Sequence, residues 1–273
     1  NQDDFVSKVA EYANTQNIIN KSDFFSNNPF HKDMKDYSTR IFAPATDGVQ
    51  RRTHWYYERV RGEYLNNQAY LSADEKRKFI LENPKNQLID KILLSKAENS
   101  WHQIPNVVSK GAQDSFKKFA DTISEILEND NLAITETYFK DAISRIIMFR
   151  SVERLITKSS WYDGGFRAQT VTYSIAYLSF MMKGKGLNLN FNLIWENQSL
   201  PESLFDILDK IAEKVYFKIT SPPTGYANIS QWTKNLKCRN RDKELKYDFI
   251  NLDNSLFVDS QEIKYIKKKK KKK

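Results

Sequence analysis

Apolar residues recur every three or four positions over most of this chain, which is the spacing of one face of an α-helix. Phe30, Met34, Tyr37 and Ile41 follow this spacing closely. The pattern predicts helices around Phe5, Val9 and Tyr12, from Phe30 to Ile41, and over residues 51–68, 72–84, 87–99, 112–127, 138–156, 167–182 and 201–219.

The boundaries of these helices are marked by residues that begin or end helices. The 8 Gly and 7 Pro residues lie almost wholly between the periodic runs, which is typical of a helical fold rather than a strand-rich one. Ser72 and Glu75 have the spacing of a capping box, and Ser230 is placed to cap a short helix over 231–238. Beyond residue 244 the periodicity fades. We therefore predict an all-α, bundle-like fold with a helical region over 1–244, followed by an irregular or weakly stranded segment over 245–273.

The net charge is concentrated at the carboxyl end. The chain of 273 residues has a formal net charge of +9, but residues 267–273 are all lysine. Without those seven charges the net charge is +2, so nucleic-acid binding would need a local basic patch rather than bulk charge. The lysine run is either the product of a run of adenines or a solvated tail that binds polyanions non-specifically. In both cases we expect it to remain unpacked, because like charges repel one another.

Composition also indicates the cellular compartment and excludes some classes of protein. Cys238 is the only cysteine, which excludes an internal disulfide or a multi-cysteine zinc site and fits a reducing compartment. The longest apolar stretches are far shorter than the roughly 20 residues that span a bilayer. The first residues, Asn1 to Asp4, show neither Met nor a signal pattern. We expect a cytoplasmic protein without membrane contact, and a chain that begins inside a longer one.

Segment 50–62 concentrates the candidate chemistry. It contains four arginines, three aromatic residues, one histidine and one carboxylate: Arg51, Arg52, His54, Trp55, Tyr56, Tyr57, Glu58, Arg59 and Arg61. On a helix, His54, Glu58 and Arg61 would share one face, and arginines beside exposed aromatic side chains bind phosphates and unstacked bases. Alternatively, the aromatic residues belong to the core and the arginines pair with Glu58 and with helix-end carbonyls. The four arginines outnumber the local carboxylate, so some must face distant acids, solvent or an anion.

Other candidate sites have less support in the sequence. Arg167 follows the pair Gly164 and Gly165, where backbone amides could approach an anion, but the lysine and hydroxyl of a phosphate-binding loop are missing. His54 and Glu58 have metal-ligand spacing without a third ligand nearby, so we expect neither a metal nor another cofactor. No nucleophile and base arrangement or dinucleotide fingerprint occurs, which leaves catalytic residues unknown.

Four strings of the sequence resemble the AIPR family, named for abortive infection and phage resistance. They are residues 24–31 (FFSNNPFH), 41–44 (IFAP), 52–62 (RTHWYYERVRG) and 161–167 (WYDGGFR). Residues 47–84, 108–113 and 222–232 extend the likeness, which runs from about residue 16 to residue 232. The resemblance implies the later, helical part of a component of prokaryotic anti-phage or restriction-like systems, which act with nucleic-acid-processing partners. It implies no catalytic residue.

Three functional hypotheses follow. The first is a non-catalytic defence module that contacts nucleic acid or a nucleic-acid-processing protein through segment 51–61 and Arg167. The second is a structural or assembly domain of a larger defence protein, in which the arginines only join helices together. The third is a part of a nuclease that a missing amino-terminal region completes, which His54 and Glu58 favour and the lack of a metal-binding carboxylate cluster opposes. We prefer the first hypothesis.

Overall fold

Helices dominate the part of the chain that the structure describes. This computed structural model describes residues 28–46, 48, 52–127, 132–246, 253–258 and 265–268. Its described helices are α1 (Pro29–Arg40), α2 (Glu63–Asn66), α3 (Ala73–Glu82), α4 (Lys91–Trp101), α5 (Pro105–Val108), α6 (Ala112–Ile126), α7 (Glu136–Lys158), α8 (Arg167–Gly184), α9 (Phe191–Asn197), α10 (Glu202–Ile219), α11 (Ile229–Thr233) and α12 (Leu236–Asp242). The strands are β1 (Tyr56–Glu58), β2 (Leu88–Asp90), β3 (Leu132–Ile134), β4 (Asn188–Leu189), β5 (Phe257–Val258) and β6 (Ile266–Lys268). The predicted predominantly α-helical fold is confirmed.

Helix α7 forms the centre of the fold. The Thr135 hydroxyl caps its first turn by accepting a hydrogen bond from the Tyr138 amide at 3.2 Å, and Lys158 lies in its last turn, where a cation interacts favourably with the helix dipole. Helices α4, α8, α9 and α10 all pack against α7. Its residues from Tyr138 to Ile156 are therefore mostly buried, as expected for a helix that is surrounded by others.

Six of the predicted helices are confirmed, with ends within two residues of those expected: α1, α3, α6, α7, α8 and α10. In α3 the predicted capping box is present. The Ser72 hydroxyl accepts from the Glu75 amide at 3.4 Å, and the Glu75 carboxylate accepts from the Ser72 amide at 2.9 Å. The helix expected around Phe5, Val9 and Tyr12 lies outside the described residues.

The capping box should decide the local stability of α3, because none of the residues of this helix is buried. Replacing Ser72 by Ala should cost about 1 kcal/mol, which corresponds to about fivefold faster amide exchange over residues 73–82 if the helix opens locally. Hydrogen exchange followed by mass spectrometry measures this change. The Ser72→Asn variant keeps a capping oxygen and should exchange like the unmodified chain, and equal exchange in the Ala and Asn variants would refute the expectation.

The helix predicted over 51–68 is wrong. In the described part of this segment, residues 52–55 are extended, β1 follows, and α2 begins only at Glu63. Strand β1 pairs in parallel with β2, with Tyr56 opposite Leu88. On the other side of β1, the Ser38 hydroxyl donates to the Trp55 carbonyl and accepts from the Tyr57 amide, both at 2.8 Å. A strand is favoured here because these distant groups satisfy its backbone.

Further differences arise where short elements replace a predicted helix. The helix expected over 87–99 begins only at Lys91, because a 3₁₀ turn (Lys85–Gln87) and β2 precede it. Two short helices, α11 and α12, replace the one expected over 231–238. Asn228 and Asn235 cap them rather than Ser230, and their side chains accept from the amides of Gln231 and Lys237. Helices α5 and α9 were not predicted, since they have only four and seven residues.

The described parts of 245–273 contact the helical region. Strand β5 pairs with β4, and β6 pairs with β3. The expectation that the lysine run stays unpacked is wrong for Lys267 and Lys268, which belong to β6. Lys267 Nζ also donates to the Tyr37 hydroxyl at 2.9 Å, so backbone pairing and one polar contact offset the repulsion there. Residues 269–273 lie outside the described part. None of the described helices is long and apolar enough to cross a membrane.

Candidate functional site

The aromatic residues of segment 52–62 belong to the core, as the alternative interpretation predicted. Trp55 is 5% exposed and its indole Nε1 donates to the Gln198 side chain at 2.7 Å. Tyr56 packs edge-on against Tyr64. Tyr57 is fully buried. Trp55 is therefore not available to stack on a nucleobase.

Glu58 holds the backbone that follows β1. Its carboxylate accepts a hydrogen bond from the Tyr64 amide at 3.1 Å and so supports the start of α2. The next carboxylate, Glu63, accepts from the Arg59 amide at 2.8 Å and pairs with Lys35 Nζ at 3.0 Å. These contacts fix the turn after β1 rather than forming an anion site.

The face expected to unite His54, Glu58 and Arg61 does not exist, because the three residues lie before, within and after β1. His54 Nδ1 lies 3.0 Å from the Ile41 carbonyl oxygen, and Arg61 is exposed in the turn that leads to α2. In the described part of the chain, no group of three His, Cys, Asp or Glu residues could hold a metal ion. The metal-ligand spacing of His54 and Glu58 therefore has no structural counterpart.

The side chains of Arg52 and His54 lie beside the ring of Phe42. We call these three residues the Phe42 platform. Residues 42–44 and 52–54 run antiparallel through a bridge between Ala43 and Thr53, which places Phe42 beside His54. The two ring centroids are 4.2 Å apart, the Arg52 guanidinium lies 5.4 Å from the Phe42 ring centroid, and Phe42 is 43% exposed. The platform thus combines an accessible aromatic face with a cation.

Segments 42–44 and 52–54 together form a two-stranded ribbon. A groove runs along the side of this ribbon that carries Thr53. It encloses about 500 Å³ and is lined by Pro44, Thr46, Thr53, Ile80, Leu81, Lys85 and Gln198, among others. Ile80 and Leu81 of α3 expose more than two fifths of their surface. The groove therefore offers an apolar wall to a partner.

The remaining candidate arginines lie apart from the platform. Arg167 begins α8 and pairs with Glu153 of α7 at 3.6 Å, so its charge is balanced. The turn before it has a positive backbone φ at Gly164 and Gly165, but the carboxylate of Asp163 also lies there and accepts a hydrogen bond from Tyr216. Arg51 lies outside the described residues. Among the predicted site residues that the structure describes, it brings together only Arg52 and His54, around Phe42, which was not predicted.

Cys238 is buried, and burial raises the pKa of its thiol to about 12. Such a thiol is inert, since a thiolate is the reactive form.

A protein-family model described as AIPR protein matches residues 1–223. The chain belongs to the AIPR family. The match contains all four strings that carry the resemblance, at 24–31, 41–44, 52–62 and 161–167, and it ends just after α10. No curated protein and no solved structure matches the chain. Membership of the AIPR family implies a role in abortive infection, that is, in resistance to phage.

Three of the strings that resemble the AIPR family form identifiable elements of the structure. Strings 41–44 and 52–62 form the ribbon and β1, which contact α1 through Ser38, and string 161–167 forms the turn between α7 and α8. Both regions lie against α7 or the helices around it. Much of the resemblance therefore reflects packing of the core, while Phe42 and Arg52 of the Phe42 platform are exposed.

Proposed function

We propose that this chain is a nucleic-acid-contacting module of an AIPR defence protein, with the Phe42 platform as a contact. The observation that carries the proposal is an exposed phenylalanine with an arginine and a histidine beside its ring. Aromatic faces stack on unpaired bases of any sequence, and an adjacent arginine binds phosphate. The backbone around the platform is fixed, because the Ala43 amide donates to the Thr53 carbonyl and the His54 amide to the Glu82 carbonyl, each at 2.8 Å.

The test is a binding titration of the full chain with labelled single-stranded and duplex nucleic acid at low salt. The Phe42→Ala variant should bind a single strand at least fivefold more weakly, since stacking on one base contributes about 1–3 kcal/mol. Arg52→Gln should reduce the slope of log affinity against log salt by about 0.7. Phe217→Ala is the matched control, because Phe217 is also exposed (53%) but lies on α10.

The lysine run is present in every variant and cancels in these comparisons. If the unmodified chain binds no nucleic acid, or if Phe42→Ala behaves like Phe217→Ala, the proposal is wrong.

A second function is favoured by a different observation. Helix α3 has no buried residue, and its Ile80 and Leu81 face the groove beside Thr53. An exposed apolar wall of this kind suits contact with another protein, as expected of an assembly domain in a larger defence system. This alternative predicts that Phe42→Ala and Arg52→Gln bind nucleic acid no differently from Phe217→Ala in the titration above.

A further inference from the structure

Three cations lie along one side of α7. Arg150, Arg154 and Lys158 are spaced four residues apart, so their side chains project from neighbouring turns about 6 Å apart along the axis. Like charges at this spacing destabilise a helix slightly. None of the three forms an ion pair with a carboxylate of the described residues. We call this row the α7 cation row.

Two acids beside this row, Glu153 and Asp209, have other hydrogen-bond or ion-pair partners. Glu153 pairs with Arg167 at 3.6 Å. Asp209 of α10 accepts hydrogen bonds from the Ser159 hydroxyl at 3.1 Å and from Trp161 Nε1 at 3.3 Å, so it fixes the turn after α7. Asp90, at the end of β2, also offsets the charge of Arg150. The excess of positive charge therefore lies at Arg154 and Lys158, which have Asp209 beside them.

The α7 cation row extends from the neighbourhood of the groove beside Thr53 to a second cleft. At one end, Arg150 donates to the carbonyls of Asn86 and Leu88, at 2.6 and 2.7 Å, and lies 5.8 Å from the Trp55 ring centroid. Trp55 in turn bonds to Gln198, which lines the groove. At the other end, Arg154 and Lys158 line a cleft of about 390 Å³ between α7 and α10.

The cleft has an aromatic wall. Phe205 of α10 lines it and is 41% exposed, and Ser151, Ser159 and Asp209 also line it. Arg154 donates only to the Ser151 hydroxyl, at 3.3 Å, among the described groups. A guanidinium and an ammonium beside an accessible aromatic face are the groups that bind phosphates and an unstacked base.

We propose that the α7 cation row and the Phe205 cleft bind the backbone and bases of single-stranded nucleic acid. A single phosphate would need cations that converge on one point, whereas cations in a line suit a chain of phosphates. An exposed aromatic wall inside a cleft suits a base that is free of its partner, which a duplex does not offer. This inference rests on the proposal that the chain contacts nucleic acid, but not on the Phe42 platform.

The experiment compares variants of the full chain in titrations with a labelled single strand of mixed sequence and with its duplex. The Arg154→Gln/Lys158→Gln double variant should bind the single strand at least tenfold more weakly, and its salt slope should fall by about 1.4, for two lost phosphate contacts. The matched control is Lys117→Gln/Lys118→Gln, which removes two exposed cations from α6. Arg150 is left in place because it holds the β2 backbone.

Phe205→Ala tests the base contact separately. It should weaken binding of the single strand at least fivefold and leave duplex binding unchanged. The inference is overturned if the cation-row variant matches its lysine control, if Phe205→Ala has no effect, or if the duplex binds as tightly as the single strand. Loss of binding in Phe42→Ala alone would support the platform and overturn the cleft. Loss of binding in the cleft variants alone would support the cleft and overturn the platform. A chain that binds neither the single strand nor the duplex would refute both the platform and the cleft.

Discussion

Replacing Arg145 by Met should lower the free energy of unfolding by about 3–5 kcal/mol, the cost of leaving one member of a buried ion pair alone. Arg145 and Glu98 are 2% and 1% exposed, and Arg145 Nη1 lies 2.9 Å from Glu98 Oε1. The guanidinium also donates to the Tyr265 hydroxyl at 2.9 Å, and that hydroxyl donates to Asp141 at 2.7 Å. Urea unfolding of the Arg145→Met variant measures the loss.

The matched control removes both charges. Glu98→Leu/Arg145→Met should recover most of the lost stability, because apolar replacements of a buried pair are often neutral. If the single variant is destabilised by less than about 1 kcal/mol, the pair does not carry the stability that its burial indicates.

A pH series gives a second check on this pair. Burial alone would raise the pKa of Glu98, but the Arg145 charge and a hydrogen bond from His102 outweigh burial and lower it. The folded-state pKa then lies below the unfolded one, so this stabilisation is present above the ordinary carboxyl range and is lost as the pH falls through the folded-state pKa. In the Arg145→Met variant, burial raises the pKa of Glu98 instead. The stability that this variant loses relative to the unmodified chain should therefore become smaller as the pH falls.

The longer helices could be predicted from sequence because their signals are local. In α6 and α10 the apolar residues repeat on one face, and breakers such as Gly111 and Pro201 lie at the ends. The capping box of Ser72 and Glu75 is likewise contained in four residues. Such elements need no information about the rest of the chain.

Strand β1 could not be predicted in this way. Trp55 and the two tyrosines of β1, Tyr56 and Tyr57, form a short apolar run, and such a run fits a helix as well as a buried strand. The structure is decided by Ser38 on one side and by β2 on the other, where the partner of Tyr56 is Leu88. Neither contact is visible in a local window.

The same limit applies to the candidate site. Counting arginines in 51–61 indicated excess positive charge, but not that Glu63 and Lys35 would organise the turn after β1. The α7 cation row was more accessible to sequence reasoning. Arg150, Arg154 and Lys158 repeat at four-residue spacing in a helix that was predicted, although Lys158 lies two residues beyond its predicted end. The position of Phe205 beside this row could not be predicted, because it depends on the packing of α10 against α7.

Acidification should destabilise the fold through His31. This side chain is 3% exposed, and its Nδ1 lies 2.6 Å from the Tyr57 hydroxyl. The Phe116 ring of α6 stacks on it, with centroids 6.1 Å apart. Burial, followed by the charges of Lys91 on α4 and Arg59 after β1, lowers the pKa of His31 from 6.5 to about 3. The imidazole is therefore neutral in the folded chain.

Because the folded-state pKa is the lower one, the unfolded chain takes up a proton first as the pH falls. Stability from neutral His31 is complete above pH 6.5 and declines from there towards about pH 3, a span of up to roughly 5 kcal/mol. Between pH 7 and pH 5 the expected loss is about 2 kcal/mol, measured by urea unfolding at both values. His31→Asn keeps an oxygen near the position of Nδ1 for the Tyr57 hydroxyl but cannot titrate, so it should lose about 2 kcal/mol less over the same interval. Identical pH dependence in the two chains would show that His31 is protonated in the folded state without cost.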